Sequence, residues 1–187
     1  MKTQFDIEEV FEIGHLRNEL EYERALIVDR KLRILSKSNS RLKPIRQKLR
    51  DLIEKYENKN WAPKSVINDD KLRESEIAEL IAEKERLFLH RRKELIKNKL
   101  KAAGLTQQQL GEILGHKSKT YMSELMNGIV PFGMNDMVII HRLLKINIKY
   151  LIPTTLSQPQ RVRVKKTLTA LGNKKLKLSS EDFDLAI

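Results

Sequence analysis

Residues 105–128 read LTQQQLGEILGHKSKTYMSELMNG, and the reading of this stretch decides the fold. Thr106 stands where a side-chain oxygen can accept from the free amides of a short helix over 107–114, Gly115 can turn the chain, and Ser118 can cap a second helix over 119–127. Leu110, Ile113 and Leu114 on the first helix and Met122 and Leu125 on the second are spaced to share one core. That spacing leaves Lys117, Ser118, Lys119, Thr120, Tyr121 and Ser123 on or near an outer face, with Asn127 at its far end. These are types suited to a nucleic-acid groove: lysine donates to guanine acceptors or phosphates, hydroxyls donate or accept at base edges, and tyrosine reaches a thymine methyl or a phosphate. Gln107, in the first turn of its helix, puts a side-chain donor beside free backbone amides, an arrangement that suits a phosphate and would position the protein without reading sequence.

Charge points the same way. The 187 residues carry 37 Lys and Arg against 25 Asp and Glu, a formal +12 that calls for a polyanionic partner. The surplus is uneven: residues 1–60 sum to +3 and 61–89 to −2, whereas 90–152 sum to +7 and 153–187 to +4. The second half is therefore the expected site of nucleic-acid contact. The chain has no cysteine, hence no disulfide framework and no thiolate metal site, which suits a reducing compartment. The start MKTQFDIEEVFEIGH is too acidic for an export signal, and no apolar run approaches the ~18 residues of a membrane span, so a cytoplasmic chain with no membrane partner is expected. With seven glycines, five prolines and one-third charged residues, composition favours long helices and an all-α fold.

Upstream, NELEYERALIVDRKLRILSK (18–37) places Tyr22, Ala25, Leu26, Asp29, Leu32 and Leu35 at spacings of three and four, an amphipathic helix. A turn at SKSNS leads into a second helix from near Leu42, with Ile45, Leu49, Leu52, Ile53 and Tyr56 on one stripe. The two form an antiparallel hairpin over 1–62, closed by Trp61 and Pro63; Trp61 is read as a hydrophobic plug, with a partner anchor as the alternative. Residues 63–74 read as a linker, and Ser75 as the cap of a long helix whose apolar side holds Ile77, Leu80, Ile81, Leu87, Phe88, Leu95, Ile96 and Leu100 before Gly104 ends it. A break near His90 would split that helix in two. After Ser157 and Pro159, RVRVKKTLTAL predicts a basic helix, followed by a frayed KKLKLSSEDFDLAI end within a tail spanning 153–187.

Residues 91–152 resemble a helix-turn-helix domain of the Cro/C1 (XRE) type, a five-helix, lambda-repressor-like fold whose third helix reads the major groove. The likeness continues after the loop IVPFG into IIHRLLKINIKYLI, similar to the family's fourth and fifth helices, with Ile140, Leu144, Ile146 and Leu151 at core positions. ELEYERAL around Tyr22 and LIEKYENKNWAP around Tyr56 are similar to the segment preceding that domain in HigA-type antitoxins. The resemblance implies an antitoxin that binds a RelE-like ribonuclease toxin through residues 1–62 with the 75–90 helix, Tyr22 and Trp61 being candidate contacts, and that represses its own promoter by binding double-stranded operator DNA as a homodimer. A free-standing regulator of the same family, with N-terminal helices that dimerise, is the alternative. Three departures stand out. The turn GHKSK is about one residue longer than usual, Ile129, Val130, Pro131 and Phe132 follow Gly128 where a basic residue is common, and His141 and Lys145 replace a small residue and a helix-ending glycine. Phe132 is accordingly expected at a dimer or toxin surface.

No catalytic pattern emerges. There is no HExxH and no phosphate-cradling glycine loop, and the histidines at 15, 90, 116 and 141 fall on different elements. No enzyme activity, metal or cofactor is expected.

Overall fold

A computed structural model describes residues 4–62, 67–153 and 158–172, and these residues are all-α. In chain order the helices are α1 (Ile7–Ile13), α2 (Glu19–Leu35), α3 (Leu42–Asn60), α4 (Asp69–Ala102), α5 (Gln107–Ile113), α6 (Lys119–Asn127), α7 (Met134–Leu144), a 3₁₀ turn (Ile148–Tyr150) and α8 (Gln158–Leu171). The expected Ser157 cap, the closing Pro63 and the KKLKLSSEDFDLAI end lie outside the described residues.

The hairpin is present and gains two partners. Asn18 caps α2 by accepting from the Glu21 amide at 3.0 Å, and α2 packs between α3 and α4, so the N-terminal unit is a three-helix arrangement. Ala25, Val28 and Leu32 of α2 are buried against Leu49, Leu52, Ile53 and Tyr56 of α3. Each large apolar side chain taken from water there contributes roughly 1.5–3 kcal/mol. Helix α1, for which the apolar spacing gives no clear signal, is capped by Asp6 and closes on α3 through buried Phe5, Ile7 and Val10.

Helix α4 departs from expectation in three ways. Its cap is Asn68, whose side chain accepts from the Lys71 amide at 2.9 Å, so the helix starts at Asp69, well ahead of the expected cap at Ser75. Asp69 and Asp70 in the first turn favour this start, because carboxylates there meet the positive end of the helix dipole. It also runs unbroken through His90, so a boundary at 90/91 falls inside one 34-residue rod that serves both halves. Finally, the inward face of its first half is Ala78 and Ala82, while Ile77 and Leu80 are 59% and 58% exposed. Small residues let α2 and α4 approach closely, and the bidentate Arg24–Glu85 pair, with Arg24 Nε donating at 2.7 Å, fixes their register. One apolar core then continues from Phe5 to Leu151.

Candidate nucleic-acid interface

The helix-turn-helix geometry is built from local caps. At α5 the Gln109 amide donates to Thr106 Oγ1 at 3.2 Å while the Thr106 amide donates to Gln109 Oε1 at 2.9 Å, a reciprocal capping box. Gly111 lies where α5 meets the turn; a Cβ there would come within 3.1 Å of the His116 carbonyl oxygen. The turn passes through Gly115 at φ +83° and the His116 amide donates back to the Gly111 carbonyl at 2.7 Å. Ser118 then caps α6 by accepting from the Tyr121 amide at 3.2 Å. Leu110, Met122, Leu125 and Met126 are buried between the two helices, whereas Ile113 turns outward at 46% exposure.

The long turn is tied down from behind. His116 Nε2 lies 3.1 Å from both carboxylate oxygens of Asp136, and Asp136 also accepts from the Gly133 amide at 3.0 Å, which joins the turn to the start of α7. The His116 ring meets Tyr121 edge-on at 5.2 Å. Past α7, Ile140, Leu144, Ile146 and Leu151 are buried, but the expected fifth helix is a single 3₁₀ turn. Lys145 takes the left-handed conformation, φ 52°, that a helix-ending glycine would adopt without strain. His141 Nδ1 donates to the Ile146 carbonyl at 2.6 Å, satisfying a group just beyond the helix end.

The candidate residues fall into two sets. Lys117, Ser118 and Lys119 are exposed, and Thr120 and Tyr121 half-buried, so these five cluster at the N-terminal end of α6. Gln107 opens α5 and is half-buried. Ser123 and Asn127 are engaged within the protein. Asn127 Nδ2 donates to the Ser123 carbonyl at 2.7 Å, its Oδ1 accepts from Lys93 Nζ at 2.8 Å, and its carbonyl accepts from Lys31 Nζ at 3.0 Å. The electrostatics of α6 also include acid: burial, reinforced by Glu8 of α1, pushes the Glu124 carboxyl and the Tyr121 hydroxyl above their ordinary values. That acidic neighbour lies more than a hundred residues away in sequence, so no local pattern could have signalled it.

The three candidate partner residues all make contacts within the chain. Phe132 is 7% exposed with the Arg92 guanidinium 5.3 Å above its ring, so it is packed within the chain. Tyr22 stacks on Tyr56 at 5.0 Å and donates to Glu57 at 2.7 Å, with burial and that hydrogen bond raising its pKa. Trp61 packs on the core and donates through Nε1 to Glu19 at 3.1 Å, the plug reading. Sequence reasoning placed Ile77 and Leu80 of α4 on an inward side, whereas both are exposed, as are Ile34 and Met134.

Among the described residues no group of three His, Asp or Glu is placed to hold a metal ion, and no helix is long and apolar enough to cross a membrane. Against family models, curated proteins and solved structures, the chain finds no match.

Proposed function

We propose that this chain is a DNA-binding transcriptional regulator that uses the N-terminal end of α6 to read operator DNA as a homodimer, in the cytoplasm. The observation that carries the reading is the doubly capped α5–turn–α6 unit, with Lys117, Ser118 and Lys119 exposed together at the start of the second helix. Lys119 donates to a base edge in this reading, Lys117 and Gln107 hold phosphates, and Thr120 and Tyr121 flank the groove. The fuller form of the proposal makes the chain a HigA-type antitoxin, whose α2–α4 bundle binds a RelE-like ribonuclease toxin and whose α6 represses the shared promoter. The exposed Ile77 and Leu80 support a protein-facing role for that bundle, since large exposed apolar side chains mark interaction surfaces when they lie together. The internal engagement of Tyr22, Trp61 and Phe132 favours the second reading, a free-standing XRE-type regulator.

One experiment tests the DNA reading that both forms share, and a second separates them. Lys119→Ala should cost about 1–3 kcal/mol on operator DNA and little on random duplex, whereas Gln107→Ala should weaken both similarly; an equal loss on both duplexes for Lys119→Ala removes its base-reading role. Co-expression with the neighbouring open reading frame, scored by growth and co-purification, should show rescue if the chain is an antitoxin. A harmless or non-binding neighbour leaves the free-standing regulator.

A further inference from the structure

Between the N-terminal bundle and the helix-turn-helix unit lies a cavity of about 30 Å³ with largely apolar walls, into whose lining Gln4, Lys31, Arg24, Arg86 and the Glu85 carboxylate also enter. Two of these cations have carboxylate partners, Arg24 with Glu85 and Arg86 with Glu83. The other basic groups at the junction do not. Among the described residues Lys31 donates to the Asn127 carbonyl alone, and Lys93 donates to the Asn127 side-chain oxygen at 2.8 Å. Arg92, only 2% exposed, donates from Nη1 to the Leu151 carbonyl at 3.1 Å and to Gln4 Oε1 at 3.3 Å.

Placing three cations at a half-buried junction against neutral carbonyls is costly, because a buried charge is ordinarily paired with an opposite one. Burial first, and after it the neighbouring Arg86, Arg92 and Lys93, pull the Lys31 ammonium down to about 8. Two donors there are also without acceptors among the described residues. Arg92 Nη2 and Gln4 Nε2 are buried and unpartnered, and they belong to side chains already hydrogen-bonded to each other. Gln4 lines the opening and Arg92 reaches it only through its hydrogen bond to Gln4, so an acceptor that carries negative charge, seated between Gln4 and Lys31, would satisfy the one and neutralise the other. The opening is large enough for two waters or the inner face of one small oxyanion, given about 10–15 Å³ per water.

We propose that this junction is an anion site, taking a phosphate group that accepts from Gln4 Nε2 and Lys31 Nζ and neutralises the field of Arg92 and Lys93. The site does not depend on how α6 is used. Its two candidate sources are free inorganic phosphate and the phosphate of a small nucleotide.

The test is thermal unfolding of the full chain in titrations of inorganic phosphate and, separately, of adenosine monophosphate, each at ionic strength held constant with sodium chloride, with calorimetric titration as the direct measure of binding. Wild type should gain about 3–6 °C at a phosphate concentration tenfold above its Kd. Lys31→Met, at a half-buried position that tolerates an apolar chain of similar length, should lose that gain, and Arg92→Met should lose it as well. A response to inorganic phosphate alone assigns a site closed around the free ion; a response to both assigns recognition of the phosphate group in either source. The proposal is overturned if neither probe shifts unfolding beyond the chloride control, or if Lys31→Met keeps the full response. Should Arg92→Met fail to fold, Lys31→Met decides alone.

Discussion

Removing the Glu19 carboxylate should be among the most damaging single changes to the N-terminal bundle. Glu19 is the first residue of α2, is 1% exposed, and accepts three hydrogen bonds: from Tyr56 Oη at 2.9 Å, from Trp61 Nε1 at 3.1 Å and from Lys71 Nζ at 2.6 Å. It therefore pins α3 and α4 to the start of α2. Truncation to alanine leaves all three donors without an acceptor. Lys71 is the least affected, because it is already near Glu74 at 4.0 Å, but the tyrosine hydroxyl is buried and the indole largely so. Each orphaned buried donor costs about 1–3 kcal/mol, and breaking a buried ion pair costs about 3–5 kcal/mol, terms that overlap here. Glu19→Ala should then lose about 3–5 kcal/mol, while Glu19→Gln, which keeps one carbonyl acceptor and the shape, should lose about 1–2 kcal/mol. Urea unfolding gives both values from two probes, helicity by circular dichroism and the fluorescence of Trp61, the single tryptophan. A loss under about 1 kcal/mol for Glu19→Ala, or an equal loss for both variants, would refute the reasoning.

Other outcomes follow from single positions. Lys31 titrates near 8 when folded and near its ordinary value of 10.5 when unfolded, so the unfolded chain holds the extra proton between those values and stability should climb as pH rises through that window. Lys31→Met should be more stable than wild type at pH 7 in phosphate-free buffer, by about 1–3 kcal/mol, and should lack the climb; parallel pH curves would contradict this. Lys145→Gly relieves a left-handed lysine at φ 52°, set against a looser unfolded chain, and should raise stability by about 0.5–1 kcal/mol in the same urea assay; a loss would mean that the lysine side chain holds the end of α7.

What is legible in the sequence is mostly local. Caps and stops depend on a few adjacent atoms, so Asn18, Gly104, Thr106, Ser118 and Gly128 all stand where a helix begins or ends. The start of α4 is harder to place because Asn68 and Ser75 are both competent caps, and only the bundle beside α2 rewards the earlier one. Size alone puts Ile77 and Leu80 inside, yet the close approach of α2 selects the neighbouring Ala78 and Ala82. Helix α1 escapes notice because its apolar residues are few and its acids many; its burial depends on α3, far along the chain. For the candidate interface, exposure at the start of α6 follows from the motif. The internal commitments of Asn127 and Phe132 do not, since their partners Lys31, Lys93 and Arg92 come from elements that periodicity alone cannot bring together.

The central claim is that the start of α6 reads DNA, and fluorescence anisotropy tests it most directly. The full chain is titrated onto labelled duplex from upstream of its own reading frame and onto a scrambled duplex of equal length, between about 50 and 200 mM salt. The account predicts binding to the upstream duplex that is tighter by roughly 10³-fold or more, weakened by salt, and lost selectively in Lys119→Ala. Equal affinity for the two duplexes, or no binding to either at the lowest salt, would contradict it.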